Sequence, residues 1–178
     1  MRRDATAWLF FFALAGCGYD DLLGNEGFEI DCDGKPCDWK LLEGEADLTA
    51  SWHAGDAGAD LSGVGRAVIE QRSAPFTIPV RELFLGAAIA RQGASIRFEL
   101  DWYIAGQGEG PSYWDREPLL VDTRGFEVEE SGVFALAELV STPSLEVSGL
   151  ALRIVKDGEG MAVIDELVLS DAALEVTP

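Results

Sequence analysis

Hydrophobic and polar residues alternate with a period of two in the most clearly patterned segment of the chain, residues 95–103. The apolar set is Ile96, Phe98, Leu100 and Trp102, and the polar set is Arg97, Glu99, Asp101 and Tyr103. Successive side chains of a β-strand point to opposite faces, so this pattern predicts a strand with one buried face and one wet face. Leu150, Leu152 and Ile154 alternate with Ala151, Arg153 and Val155 in the same way.

Further short segments have strand composition, and glycine, proline, aspartate and serine separate them. They are residues 27–31, 39–42, 47–52, 66–71, 76–80, 83–90, 118–122, 133–139 and 161–170. Many short strands with turn residues between them predict a single all-β domain built as a β-sandwich. Residues 105–116 are predicted to form a long loop, and residues 133–140 are also compatible with a helix.

The start of the chain has the pattern of an export signal. A short positive flank precedes an apolar stretch at residues 5–16, which is shorter than the ~20 residues that a membrane-spanning helix needs. The stretch ends in the sequence LAGC at positions 14–17, which resembles the lipobox of bacterial lipoproteins. The resemblance implies that residues 1–16 are a signal peptide and that the sulfur of Cys17 is acylated.

This resemblance also implies where the protein is located. Residues 17–24 are expected to be a lipidated tether that holds a domain of residues 25–178 to a lipid bilayer of the bacterial cell envelope, outside the cytoplasm. Gly18 follows the cysteine, which favours the outer membrane in a cell that has two membranes. An ordinary secretory signal with an incidental cysteine remains the alternative.

The charge of the chain narrows the classes of partner. The chain has 32 acidic and 13 basic residues and a formal net charge of −19 at pH 7. A field of this sign repels phosphate groups, which argues against binding to nucleic acid or to an anionic lipid surface. The same field permits the binding of cations.

Two further cysteines follow Cys17; they are Cys32 and Cys37, within the sequence CDGKPC. In an oxidising compartment outside the cytoplasm such a pair usually forms a disulfide. The Asp-Gly pair between them supplies turn residues, and neither a CxxC spacing nor further metal-ligand residues are present. We therefore predict a structural disulfide.

Five short patterns occur in an order that points to a known fold. They are GFE at 27–29, Trp39, LSG at 61–63, GRAVI at 65–69 and VIDEL at 163–167. In this order they resemble the jelly-roll carbohydrate-binding modules and their galactose-binding-like relatives. The resemblance implies a jelly-roll β-sandwich of two antiparallel sheets. Leu61 departs from the pattern, because a histidine is common there in those modules.

The same resemblance implies a structural calcium ion. Glu29 of the first segment and Asp165 of the last one stand where those modules have calcium ligands. Calcium takes six to eight oxygen ligands, so carbonyl groups from residues 57–65 would have to complete the site. The alternative is that Asp165 accepts hydrogen bonds from backbone amides at the rim of the sheet.

Aromatic residues supply the candidate ligand-binding site. Trp102, Tyr103, Tyr113 and Trp114 lie in or near one predicted strand and the loop that follows it. Sugar rings stack on aromatic faces while polar groups fix their orientation, so these residues are candidates for binding a glycan. Of the four, Tyr113 and Trp114 lie in the loop, whereas the alternation places Trp102 on the core face.

The sequence gives little support to catalysis. It has one histidine, His53, and it lacks a GxSxG nucleophile motif and a phosphate-binding glycine-rich loop that is followed by lysine. We therefore expect a non-catalytic envelope lipoprotein that binds a glycan or an envelope protein. A structural or interaction protein without a small ligand and an accessory or degenerate glycan hydrolase are the alternatives.

Overall fold

The computed structural model describes residues 22–24, 28–50, 57–76 and 81–171. Within these ranges, ten β-strands and one 3-10 turn follow one another. The strands are β1 (Lys40–Glu43), β2 (Asp47–Ala50), β3 (Ala57–Asp60), β4 (Ala67–Arg72), β5 (Glu82–Gln92), β6 (Ser95–Ile104), β7 (Leu119–Val128), β8 (Gly132–Ser141), β9 (Gly149–Asp157) and β10 (Met161–Asp171), and the 3-10 turn is Trp114–Arg116. None of the helical segments in this part of the chain has the length and hydropathy needed to cross a membrane.

The strands form two five-stranded sheets. The first sheet has the order β1-β4-β9-β6-β7, and the second has the order β2-β3-β10-β5-β8. All the pairings are antiparallel. The predicted all-β jelly-roll sandwich is therefore confirmed. The helical alternative for residues 133–140 is wrong, because this segment is strand β8, which pairs along its length with β5.

The predicted alternation in β6 is confirmed, and it places one row of side chains between the sheets. Ile96, Phe98, Leu100 and Trp102 have no exposed surface. In β9, Leu152 and Ile154 pack into the same core. Burying apolar surface of this kind is the main favourable contribution to folding, at roughly 25 cal/mol for each Å² removed from water.

Residues 22–24, the described part of the predicted tether of residues 17–24, pack against the sandwich. The amide of Leu22 donates to the carbonyl of Leu169 in β10 at 3.2 Å, and its own carbonyl accepts from the amide of Ala74, just after β4, at 3.3 Å. Leu23 is 6% exposed and packs into the core. The segment therefore bridges the two sheets, and the folded domain begins before residue 25.

The segment before β1 is irregular, although a strand was predicted at residues 27–31. Phe28 is fully buried with a φ of 62°, and its ring packs on that of Trp39 with 5.3 Å between the centroids. Cys32 and Cys37 form a disulfide bond with 5.1 Å between their Cα atoms, as predicted. Two backbone hydrogen bonds between Cys32 and Lys35 close the turn inside this ring.

A β-bulge in β10 reverses the side chains that face the core. Ala162 and Ile164 point inward before the bulge, and Leu167 and Leu169 point inward after it. The pairing with β5 shifts between Asp165 and Val168, and Glu166 inside the bulge has a φ of 44°. The alternation of inward-facing side chains along β10 is therefore interrupted at Asp165.

Candidate functional site

The solvent side of the first sheet carries an unusual number of charged side chains. They lie in the rows that alternate with the core residues of β4, β9 and β6, together with residues of the edge strand β7. We call this set the charged face; it consists of Glu70, Arg72, Arg97, Glu99, Asp101, Tyr103, Thr123, Glu127 and Arg153. The register aligns Arg153 with Glu70 of β4 on one side and with Glu99 of β6 on the other.

Arg153 is the centre of the charged face. Its Nε atom donates to Oε2 of Glu70 at 2.8 Å, and its Nη2 atom lies 2.6 Å from Oδ2 of Asp101. Its Nη1 atom lies 3.8 Å from Oε2 of Glu99. One guanidinium group thus joins carboxylates from two neighbouring strands, and its planar geometry suits this arrangement.

The acids around Arg153 are held by further partners. Asp101 also accepts a hydrogen bond from the Thr123 hydroxyl at 2.6 Å, and Glu70 accepts one from Nε of Arg72 at 3.2 Å. Glu70 is 5% exposed and Asp101 is 3% exposed, although both lie on the solvent side of the sheet. Buried charges are tolerated when they are paired in this way, and a fully paired network holds its side chains in one arrangement.

The network also sets the protonation of its members. Burial lowers the pKa of Arg153, but the hydrogen bond to Glu70 and the charges of Asp101 and Glu70 outweigh that effect and raise the pKa above its usual value. Burial raises the pKa of Tyr103, and the charge of Asp101 raises it further. At neutral pH the face therefore presents a charged guanidinium and a protonated phenol, which are both hydrogen-bond donors.

Three aromatic rings lie together at the end of the charged face where β6 finishes. Tyr103 belongs to the face itself, and Tyr113 and Trp114 lie next to it. The ring of Trp114 meets Tyr103 edge to face with 5.2 Å between the centroids, and it meets Tyr113 in the same way at 5.0 Å. The guanidinium of Arg72 lies over the Trp114 ring at 5.0 Å from its centroid. All three aromatic residues are half-buried, so each keeps part of its surface open to solvent beside the charges.

The loop between β6 and β7, residues 105–118, carries two of these rings and is called here the aromatic loop. Nε1 of Trp114 donates to the carbonyl of Ser73, just after β4, at 3.0 Å. The hydroxyl of Tyr113 lies 3.1 Å from the hydroxyl of Ser148, just before β9. The loop therefore crosses the ends of β6, β9 and β4 and forms a wall along one side of the charged face.

The aromatic loop owes its shape to a close approach of its own two limbs. A Cβ atom at Gly106 would overlap the carbonyl oxygens of Arg116 and Glu117, and one at Gly110 would lie 2.5 Å from Cβ of Asp115. Only glycine leaves room for such an approach. Asp115 also accepts a hydrogen bond from the Ser112 hydroxyl at 2.7 Å, which fixes the turn that presents Trp114.

The structure brings together three of the four predicted ligand-binding residues, Tyr103, Tyr113 and Trp114. The fourth residue, Trp102, lies elsewhere. Trp102 has no exposed surface, because the alternation of β6 directs its side chain between the sheets, and a sugar cannot reach it. Apart from Tyr103, the residues of the charged face were not identified from the sequence as parts of one site, since joining them requires the cross-strand register.

The predicted calcium ligands lie in different surroundings. Glu29 is exposed in the segment before β1, whereas Asp165 is fully buried in the bulge of β10 beside Gly58. Oδ1 of Asp165 accepts a hydrogen bond from the amide of Glu166 at 2.9 Å. Within residues 22–24, 28–50, 57–76 and 81–171, no group of three or more His, Cys, Asp and Glu side chains is placed to hold a metal ion. The calcium ion stays a prediction.

Two further predictions concern residues outside the described ranges. Cys17, the predicted site of lipidation, and residues 1–16, the predicted signal, both precede the first described residue, and His53 lies between two described ranges.

Comparisons with known proteins identify relatives of the fold. No protein-family model matches the chain, and no curated protein sequence matches it. Among solved structures, the chain is similar to the carbohydrate-binding module TmCBM61 in complex with β-1,4-galactotriose, with a TM-score of 0.59 and 15% identity over 85% of this chain and 98% of that one. It is also similar to the CBM22-1 xylan-binding domain of Xyn10C from Paenibacillus barcinonensis, with a TM-score of 0.52 and 14% identity over 86% of this chain and 96% of that domain.

A third similar structure is a family 16 carbohydrate-binding module, with a TM-score of 0.53 and 14% identity over 78% of this chain and 96% of that module. In each case nearly the whole module aligns with the sandwich. These identities are low, so the similarity shows a shared fold, and the ligand has to be argued from the charged face.

Proposed function

We propose that this protein is a non-catalytic glycan-binding protein and that the glycan lies on the charged face against the aromatic loop. The observation that carries the proposal is the combination of three half-buried aromatic rings with an ordered network of donors and acceptors on one side of a sheet. Sites that bind sugars need both an apolar surface for the ring and fixed polar groups for the hydroxyls. The sugars bound to similar modules support the proposal.

The network suits a neutral, hydroxyl-rich ligand. The carboxylate of Glu99 accepts hydrogen bonds from hydroxyl groups, and the guanidinium of Arg72 and the phenol of Tyr103 donate them. The buried carboxylates of Glu70 and Asp101 hold Arg72 and Arg153 in place. Arg153 is bonded to acids on both sides, so it has little positive field left for a carboxylate or sulfate on the ligand. Because the whole chain has a net charge of −19, we propose that acidic glycans bind weakly.

The absence of catalysis is part of the same proposal. A glycosidase needs a protonated carboxylic acid beside the bond that it cleaves, usually opposite a second carboxylate. The two most buried acids of the charged face, Glu70 and Asp101, each accept a hydrogen bond from Arg153. That pairing holds both carboxylates against the guanidinium and away from a bond that would be cleaved.

Binding to a panel of neutral polysaccharides and oligosaccharides, measured by calorimetry on the purified protein, tests the proposal. We expect saturable binding to at least one glycan, and we expect the variants Y103A and E70Q each to weaken it at least about tenfold, which corresponds to ~1.4 kcal/mol. The control is L139A, because Leu139 is 66% exposed on strand β8 of the second sheet. Binding that L139A weakens and Y103A leaves unchanged would place the ligand elsewhere.

We also propose that the protein is anchored in the bacterial cell envelope by an acyl group on Cys17. The LAGC sequence and the short apolar stretch before it support this location. Two or more acyl chains are needed for stable anchoring. The mass of the N-terminal peptide from the native protein tests the proposal, because it reports both the cleavage before Cys17 and the fatty acid.

A further inference from the structure

The outer side of the second sheet is apolar where β5 pairs with β8. The core residues of β5 alternate with four residues that face outward, namely Phe84, Gly86, Ala88 and Ala90. The register places four residues of β8 directly beside them, in the order Leu139, Ala137, Ala135 and Val133. None of these eight residues has a charged side chain, and we call the set the apolar face.

Strand β8 forms the exposed part of the apolar face. Val133 is 56% exposed and Leu139 is 66% exposed, and Ala137 between them is exposed as well. The strand has ten residues and lies at the edge of its sheet. Edge strands are usually protected by lysine, proline or several charges, because they otherwise attract a partner. The only charged residue of β8 is Glu138, so this edge is well suited to an apolar partner.

The described chain begins beside the same sheet. The amide of Leu22 donates to the carbonyl of Leu169 in β10, and Leu169 pairs with Leu85 of β5, the residue after Phe84. Cys17 precedes Leu22 by five positions, a distance of at most ~18 Å along a fully extended chain. An acyl group on Cys17 therefore keeps the surface of a bilayer close to the second sheet.

We propose that the apolar face rests on the lipid bilayer that holds the acyl group of Cys17, an inference that builds on the acylation proposed above. Val133 and Leu139 enter the boundary between lipid headgroups and acyl chains, as apolar surfaces of peripheral proteins do. The charged face lies on the outer side of the other sheet, ~10 Å across the core. It therefore points away from the membrane, toward its glycan.

The anchor is what makes a contact of this size effective. Two large side chains and the alanines between them bury little apolar surface, and binding to a membrane from solution scales with that surface. A tether of five residues keeps the apolar face next to the bilayer at all times. The contact is then intramolecular and has a high effective concentration, so it needs little affinity of its own.

The charge of the chain favours a lipid surface over a second copy as the partner of the apolar face. Each chain has a formal net charge of −19, so two copies repel each other when their faces approach. A bilayer of zwitterionic lipid has no net charge and does not oppose the contact in this way. The proposal is accordingly tested with vesicles of phosphatidylcholine.

Fluorescence quenching by the vesicles is the test. Cys32 and Cys37 form a disulfide and Cys17 is acylated, so L139C gives the native protein one free thiol for a bimane label. Vesicles with brominated acyl chains should quench at least about half of the fluorescence of this label, because interfacial surfaces enter the bilayer by ~5–10 Å. V133C provides a second label on the same face and should respond in the same way.

The matched control is L42C, because Leu42 is 42% exposed on β1, at the opposite edge of the first sheet. Its label should keep its fluorescence in the brominated vesicles. Equal quenching of the labels at positions 42 and 139 would overturn the proposed orientation of the domain.

Flotation of the protein with the vesicles reports the anchor separately from the apolar face. Protein that floats while the labels at positions 133 and 139 stay unquenched would overturn the contact and leave the anchor and the glycan site standing. Protein that does not float would overturn the anchor and the contact together. A blue shift of the label at position 139 that needs no vesicles and grows with protein concentration would identify a second copy as the partner, and it would overturn the proposal as well.

Discussion

At the scale of single residues, the phenol of Tyr103 reports on the charged face. Burial and the nearby charge of Asp101 raise its pKa above the ordinary value of 10.0. We expect D101N to lower the pKa of Tyr103, because the substitution removes the second of these causes. Burial raises the pKa of Tyr113 as well, but Asp101 is not among its causes, so Tyr113 should not respond.

The measurement is a titration of tyrosinate absorbance, with Y103F and Y113F to assign the two phenols. The stabilisation linked to Tyr103 is present below about pH 10 and is lost as the pH rises through the folded-state pKa. A D101N titration identical to that of the original protein would show that the two groups do not interact. The sequence predicted Tyr103 as a site residue, whereas its coupling to Asp101 and Arg153 depends on the pairing of β6 with β9.

At the scale of the structural element, the segment of residues 22–24 acts as a strap between the two sheets. Its leucines follow two acidic residues and are too few to form a periodic pattern, which explains why the sequence suggested a tether. We expect L23A to lower the free energy of unfolding by about 2–4 kcal/mol, the usual cost of removing a core leucine. Denaturant unfolding with an unchanged m-value would measure this loss.

The control for the strap is L42A, because Leu42 is 42% exposed on β1 and should lose less than ~1 kcal/mol. If both variants were equally stable, the packing of Leu23 would not contribute to the fold. The strands themselves could be predicted more fully than the strap. Alternation identified β6 because its polar and apolar rows are unbroken, and it identified β9 because leucine or isoleucine recurs at every second position. Alternation alone could not place the residues of β10, because the bulge at Asp165 changes the side that faces the core.

At the scale of the whole molecule, the charged face and the net charge of −19 act on a ligand in different ways. The face is nearly balanced within itself, since each arginine contacts at least one carboxylate. The remaining acids produce a negative field that surrounds the domain. This field acts over a Debye length, about 30 Å at 0.01 M salt and about 10 Å at 0.1 M. The net charge could be predicted from composition. The balance of acidic and basic side chains within the charged face could not, because it depends on which residues the strand register places side by side.

The locally balanced face and the negative field of the whole domain together predict how glycan affinity depends on ionic strength. The affinity for a neutral glycan should stay constant within about twofold between 0.01 and 0.1 M salt, because the protein's negative field neither attracts nor repels an uncharged ligand. A uronate-bearing glycan of the same length should bind more weakly and should gain affinity as salt screens the repulsion. Calorimetry of the matched pair of glycans tests both statements. Stronger binding of the acidic glycan at low salt would mean that Arg72, Arg97 and Arg153 remain available to anions, and that the face selects charged sugars.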